Sequence, residues 1–247
     1  RFVDGERYAW NPYLAVDLSG DWKLGLSYEY VNDDRVPDRG VPSIATAVGQ
    51  PNTPVRGYDR LFFGVPGINR TTLEAHIAKL RLDGQLADNL KFTSTLLYGD
   101  YDKLYVNVYA NSAVTAANTV AIDAYSDPTK RENLIGQANL IWDIETGAVA
   151  HKLLFGVEYG AQKTRNMRFN RTFSPGTTFN LNTPVYPTVT FTTPSRDTVS
   201  DVEFFSAYVQ DQIGIGDHFD IVVGLRYDHF EIDGIDFIPA IDRPFAR

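Results

Sequence analysis

The sequence predicts an all-β fold, a transmembrane antiparallel β-barrel running as an up-and-down meander, and three observations predict it. Apolar and polar residues alternate along stretch after stretch, a period of two that only extended chain can use to keep one face apolar. The joins between stretches alternate as well, short then long, as in a barrel with trim periplasmic turns and large extracellular loops. The stretches reach about ten or more residues, enough to cross hydrocarbon at a tilt, where strands of soluble proteins average about five or six.

The elements follow in order. Arg7 to Leu18 forms the first stretch and Ser19-Gly20-Asp21 the first turn. The second stretch is the cleanest, with Trp22, Leu24, Leu26, Tyr28 and Tyr30 on one face and Lys23, Gly25, Ser27 and Glu29 on the other. Asn32 to Arg70, rich in Pro, Gly, Asn, Asp and Arg, is a long outer loop, and loops of that size in compact domains usually have a task. Thr72 to Leu86 and Leu90 to Val106 pair across Ala87-Asp88-Asn89. After a second long segment, Leu134 to Ile144 and Lys152 to Met167 flank a turn at Glu145 to His151. A third long segment, Phe173 to Ser200, alternates as Pro187-Thr188-Val189-Thr190-Phe191-Thr192, which predicts a short hairpin standing above the membrane. Val202 to Ile213 and Phe219 to Ile232 close the series around Gly214 to His218.

The two faces differ in the way a membrane demands. Lys79, Arg81 and Asp83, then Gln137, Asn139 and Asp143, then Arg226 and Asp228 put charge and amides mid-strand, which fits a wet lumen or contact with a plug. Tyr8, Trp10, Trp22, Tyr28, Tyr30, Tyr98, Trp142, Tyr159, Tyr208 and Tyr227 gather near strand ends, where amphipathic rings meet lipid headgroups.

Composition narrows the choices further. The 247 residues include 13 Pro and 19 Gly and hold no apolar run long enough for a transmembrane helix. There is no cysteine, which excludes disulfides and thiolate metal sites. A formal charge of −8 argues against a nucleic-acid surface. No Gly-x-Ser-x-Gly elbow is present, so an enzyme is not expected. His76, His151, His218 and His229 lack the short spacing of a metal pair. Arg1 to Glu6 reads as the tail of one loop and Ile238 to Pro244 as the start of another, so the chain is expected to be an internal piece of a longer one.

Several segments resemble the TonB-dependent outer-membrane receptors, and within them the catecholate-type siderophore receptors. Ala207-Tyr208-Val209-Gln210-Asp211-Gln212 followed by Val223-Gly224-Leu225-Arg226-Tyr227-Asp228 is similar to the family's mid-barrel hairpin. Leu153 to Tyr159 resembles the preceding strand, Asp34-Arg35-Val36-Pro37-Asp38-Arg39-Gly40-Val41-Pro42 the first long extracellular loop, and Asp88 to Phe92 the opening of a hairpin. The resemblance implies a bacterial outer-membrane barrel of about 22 strands, of which this chain supplies about eight. It also implies an N-terminal plug and C-terminal strands outside this sequence.

The function so implied is TonB-coupled import of a ferric siderophore by a monomeric receptor, with the TonB-ExbB-ExbD complex engaged through the plug region. Outer-membrane lipid and lipopolysaccharide would surround the barrel, and no cofactor would be bound covalently. Arginine offers an anionic ferric catecholate both charge and a hydrogen-bond fork, and aromatic rings stack on catechol. Candidate contacts are Arg56, Tyr58, Arg60 and Phe62 in the first long segment, Tyr101, Tyr105 and Tyr109 in the second, and Arg165, Arg168, Phe169 and Arg171 in the third. For any single one of these the plainer role is a solvated loop residue or a partner of lipopolysaccharide phosphate. Receptors for haem, cobalamin or oligosaccharide, and a passive porin-like barrel, are the alternatives; for haem, no histidine falls in a long loop.

Overall fold

The structure, a computed structural model, describes residues 2–45, 50–216 and 218–238. The loop start expected at Ile238 to Pro244 lies, beyond Ile238, outside them. The main strands are β1 (Gly5–Trp10), β2 (Tyr13–Asp17), β3 (Lys23–Arg35), β6 (Arg70–Ala87), β7 (Leu90–Ala110), β8 (Thr119–Thr146), β9 (Val149–Ser174), β11 (Thr188–Ile215) and β12 (Phe219–Asp236). The short ones are β4 (Ser43–Ile44), β5 (Thr53–Pro54) and β10 (Thr178–Asn180). The main sheet runs β1-β3-β6-β7-β8-β9-β11-β12, with β2 beside β3 and β10 beside β8, and its pairings are antiparallel. It is the expected meander, open at β1/β2 and β12 among the described residues.

Three elements differ from expectation, each for a readable reason. Arg7 to Leu18 is two strands, because Pro12 has no N–H to give the ladder and sits at an edge, where that loss is tolerated. The chain bends only briefly: the Pro12 carbonyl accepts from the Tyr28 N–H, and β2 resumes the register of β1. The turn at Glu145 to His151 shrinks to Gly147-Ala148, with Gly147 at φ 68°, since Thr146 already pairs Val149. Most important, β8 and β11 reach 28 residues and β9 reaches 26, so much of the second and third long segments is strand. At about 3.3 Å per residue, a 28-residue strand is about 90 Å long, far more than a bilayer crossing needs. The Thr188 to Thr192 alternation is therefore the outer end of β11 laid on β9, in place of a separate hairpin.

One face of this sheet is apolar and exposed. In register across the strands lie Leu26, Leu80, Leu96, Gly136, Tyr159 and Phe205, and one row below them Leu24, Leu82, Ser94, Ala138, Val157 and Ala207. Leu26, Leu80, Leu96, Val157 and Phe205 are all exposed, a contiguous patch that no second sheet covers among the described residues. Exposure of this extent marks contact with lipid. Tyr28 and Tyr98 cap the band one row above and Tyr159 stands in its upper row, as a girdle requires, but Tyr208 faces the other way.

The opposite face is polar and bonded within itself. The Tyr208 hydroxyl donates to Asn139 Oδ1 (2.5 Å) and accepts from Gln137 Nε2 (2.8 Å). Arg226 reaches Glu158 (3.1 Å) and Asp228 (2.8 Å), and Ser206 donates to Asp228 (2.6 Å). Tyr208 and Phe204 lie flat over Gly156 and Gly160, their cross-strand partners, where an added Cβ would fall 2.1 Å from each ring. The buried apolar clusters are found elsewhere, at the outer end: Val55, Phe63, Val114, Val120, Ile122, Phe179 and Leu181 form one, and Val65, Val108, Ala124 and Val189 the other. They weld the long connections to the tips of β7, β8 and β11.

Replacing Gly156 by Ala should lift the Tyr208 ring and break its two hydrogen bonds, costing about 1–3 kcal/mol. Urea unfolding of the detergent-solubilised receptor, read by tryptophan fluorescence, would check this; Gly136→Ala, where the nearest atom to an added Cβ is a flexible Leu96 methyl at 3.6 Å, should cost clearly less.

Candidate ligand-binding site

One buried amide is a principal polar tie of the first long connection. Asn69 is 2% exposed; its Nδ2 donates to the carbonyls of Pro37 (3.3 Å) and Val108 (2.9 Å) and to Asn107 Oδ1 (3.2 Å). Its Oδ1 accepts from the N–H groups of Val65 (2.9 Å) and Val108 (3.3 Å). A single side chain thus ties the segment around Pro37 to the tip of β7. Just beyond it, Gly40 takes φ 78° and its N–H is capped by Asp38 Oδ1 (2.9 Å), a turn that only glycine adopts without strain. Arg39 is presented from that turn.

Arg39 enters a cluster of tyrosines. Its guanidinium stands 4.0 Å from the Tyr109 ring centroid and 5.7 Å from that of Tyr125, and Nη2 donates to the Tyr125 hydroxyl (2.6 Å). The Arg168 guanidinium also lies over Tyr125, 4.4 Å from the ring, and is forked onto Asp127, with Nε donating at 2.7 Å. Tyr105 and Tyr109 pack on Tyr125 at 5.8 and 6.0 Å between centroids. Tyr105, Tyr109, Tyr125 and Arg168 share, by alternation, the polar face of β7, β8 and β9, so the cluster sits at the outer mouth of the lumen side. Burial works against the charge on Arg39, while the Tyr105 hydroxyl and the neighbouring phenols favour it, and the balance keeps it a firm cation.

The charges are unequal in a useful way. Arg168 is neutralised by Asp127 and Arg171 by Asp123 (2.6 Å). Arg39 has no carboxylate within ion-pair distance among the described residues, so it offers an uncompensated positive charge framed by π-faces. An anionic, planar, aromatic ligand meets both halves of that offer: charge with Arg39, and stacking with tyrosines worth about 0.5–1.5 kcal/mol per ring.

The residues singled out in the sequence are sorted by the structure. Tyr105, Tyr109 and Arg168 come together. Tyr101 lies lower on the same face, folded over Gly99. Arg171 is at the same level as the cluster through Asp123. Phe62 is only 3% exposed, stacked on Phe2 and bonded through its carbonyl to Tyr186, so it is core. Tyr58 packs on the cluster around Val55 and Phe63 and bonds Asn182 (2.8 Å), while Arg56 and Arg60 are exposed. Arg165 and Phe169 belong to the face opposite Arg168, and Arg165 is forked onto Asp197 (3.1 and 3.0 Å). The structure adds Arg39, Tyr125 and Asp127 to the cluster. For Tyr125 and Asp127 the sequence does carry a signal: Val120, Ile122 and Ala124 alternate with Asp123, Tyr125 and Asp127, the period of a strand.

An open sheet of long strands with one lipid-facing side and a charged aromatic mouth defines a large outer-membrane barrel of the receptor type. The chain belongs to the family described as TonB dependent receptor-like, beta-barrel, whose model matches residues 9–244. Proteins of this family reside in the outer membrane of Gram-negative bacteria. The chain is 26% identical over 246 residues to the "Probable TonB-dependent siderophore receptor PiuA" of Acinetobacter baumannii, covering 90% of this chain and 33% of that protein. It is 22% identical over 257 residues to the "Catecholate siderophore receptor Fiu" of Escherichia coli, covering 94% and 32%. The crystal structure of PiuA superposes with a TM-score of 0.80 at 22% identity, over 98% of this chain and 38% of that one. The chain thus spans about a third of the length of the curated relatives it matches.

Asn69→Ala should free the Arg39 turn from β7. Hydrogen–deuterium exchange of amides in residues 36–42 should accelerate by about a hundredfold or more, the loss of about 3 kcal/mol of local protection, while β9 and β11 stay unchanged.

Proposed function

We propose that this chain is part of the barrel of a TonB-dependent receptor that captures a ferric siderophore of the catecholate kind at its outer mouth and passes it inward. The reading is carried by one observation: the uncompensated Arg39 guanidinium framed by Tyr109 and Tyr125, beside Arg168 and Tyr105. A ferric tris-catecholate is a trianion with aryl faces outward, and this cluster answers both properties. The names of two relatives, one a siderophore receptor and one a catecholate siderophore receptor, support it.

Energy for passage would come from the inner membrane through the TonB-ExbB-ExbD complex acting on a plug domain, with the receptor monomeric and no cofactor held covalently. The polar inner face, with Arg81 paired to Asp83 and Arg226 to Glu158, is suited to a hydrated contact with such a plug. Haem capture is less well served. His76 and His229 lie on the lipid-side face and His151 and His218 at the short-turn end, none beside the tyrosine cluster.

In the full-length receptor, Arg39→Ala should weaken binding of ferric 2,3-dihydroxybenzoate about tenfold, and Tyr125→Ala comparably, since each removes about 1.4 kcal/mol of contact. Arg60→Ala should change it less than about twofold. Titration by intrinsic fluorescence quenching reads both, and equal losses for Arg39 and Arg60 would sink the site.

A further inference from the structure

On the lumen side, inward of the tyrosine cluster, two arginines approach β9 from opposite strands. Arg131 of β8 stands opposite Thr164, and its Nε donates to the Thr164 Oγ1 (3.0 Å). Arg196 of β11 stands opposite Arg168 just past a slip in the register of β9 and β11, and like charges so placed disfavour the sheet. The two turn apart: Arg168 goes to Asp127 on β8, and Arg196 lays its Nη1 on Asn166 Oδ1 (2.9 Å). Asn166 is itself held, its Nδ2 donating to Thr129 Oγ1 (2.7 Å). Both guanidiniums therefore come to rest over one face of β9, at Thr164 and Asn166, positions about 7 Å apart along the strand.

What holds these two arginines is neutral. A threonine hydroxyl and an amide oxygen orient a guanidinium without cancelling its charge, and neither Arg131 nor Arg196 has a carboxylate within ion-pair distance among the described residues. Both residues are exposed. Of the acids on this part of the face, Asp127 is forked by Arg168, and Asp236 stands on β12 opposite Thr198, where it caps the Ile238 N–H (3.0 Å). Lys103, diagonal to Arg131 across β7 and β8, adds positive field. Further down the same face, Arg81 is paired to Asp83, and Arg226 to Glu158 and Asp228. Uncompensated guanidinium charge below the cluster is thus concentrated at one level.

From this geometry we propose that Arg131 and Arg196 are a carboxylate clamp, where a ferric chelate lodges a free acid arm while one of its aryl rings rests on the Arg39 cluster. The proposal rests on the capture reading above and names the class of ligand it favours: catechol chelates that carry a carboxylate beyond the ring, over those that do not. A carboxylate is the fitting group because its two oxygens match guanidinium forks, and at N–H···O distances of about 2.8 Å one carboxylate can accept from both arginines. The span fits as well. Tyr125 pairs with Asn170, and Asn166 lies about 13 Å further inward along β9. A ring at Tyr125 and an acid at Asn166 are then the two ends of one chelate.

The test uses the full-length receptor and two ferric complexes, of N-(2,3-dihydroxybenzoyl)-4-aminobutyrate and of its primary carboxamide, titrated by intrinsic fluorescence quenching. Wild type should bind the acid about tenfold more tightly than the carboxamide. Arg131→Ala with Arg196→Ala should erase that preference by weakening the acid alone, and Arg131→Gln with Arg196→Gln, which keeps donors and removes charge, should do the same. Unchanged affinity for the carboxamide shows the fold and the capture cluster intact. Preference retained by either double overturns the clamp, and so do equal affinities in wild type, the result that a plug carboxylate already seated on the pair would produce. Arg39→Ala should weaken both complexes alike and leave the preference standing; a preference lost there puts the acid at Arg39 and overturns the clamp too. If wild type binds neither complex, the capture reading fails and the clamp falls with it.

Discussion

Hydrocarbon offers no hydrogen bonds, so each N–H and C=O that crosses the bilayer must find its partner in a neighbouring strand. That constraint explains why the ladders of this sheet are long and unbroken where lipid touches them. The pairing of β9 with β11 slips register only between Phe191 and Thr193 and between Pro194 and Arg196, far above the apolar rows. Prolines obey the same rule: Pro12 sits at an edge, and Pro128 and Pro194 lie in the outer extensions. Outside the bilayer water forgives what lipid would not, and bulges, turns and buried loop clusters all gather there.

The same constraint divides the side chains into two chemistries. One face is dissolved in lipid, and its residues need only be apolar. The other must satisfy its polar groups locally, and does so through short bonds such as Tyr208 to Asn139 and Ser206 to Asp228. Glycines beneath Tyr208 and Phe204 let rings lie close to the backbone, which keeps the lumen side smooth without giving up aromatic packing. Stability is therefore distributed along the sheet, and compact hydrophobic clusters are confined to the outer end, where loops must be fixed in place.

Most of the fold was legible because a period of two is a strong signal when it runs for many residues. The strand assignments from Trp22 to Tyr30, Thr72 to Leu86 and Leu90 to Val106 needed only extension. What sequence reading undervalued was the outer half of the long strands, since Thr, Asn, Pro and Asp there resemble loop. Pro128 and Pro194 in particular read as breaks, yet both are accommodated within strands. The site was half legible for the same reason. Tyr105, Tyr109 and Arg168 do come together around Tyr125, but sorting the arginines required knowing which face each one occupies. Arg165 and Arg168 are three residues apart and point to opposite sides. Arg39, in a turn set by Gly40 and anchored from Asn69, acquires its importance only through contacts across the sheet.

The tyrosine cluster is built from two kinds of backbone. Its rings and Arg168 stand on strands whose register is locked by continuous ladders, whereas Arg39 arrives on a short turn that Asn69 ties to β7. Changes in that turn can alter the charge and shape of the outer mouth without disturbing the sheet. The backbone that carries Arg39 is in this way separable from the ladders that hold the sheet, and the residues around it can be rewritten while the scaffold stays untouched.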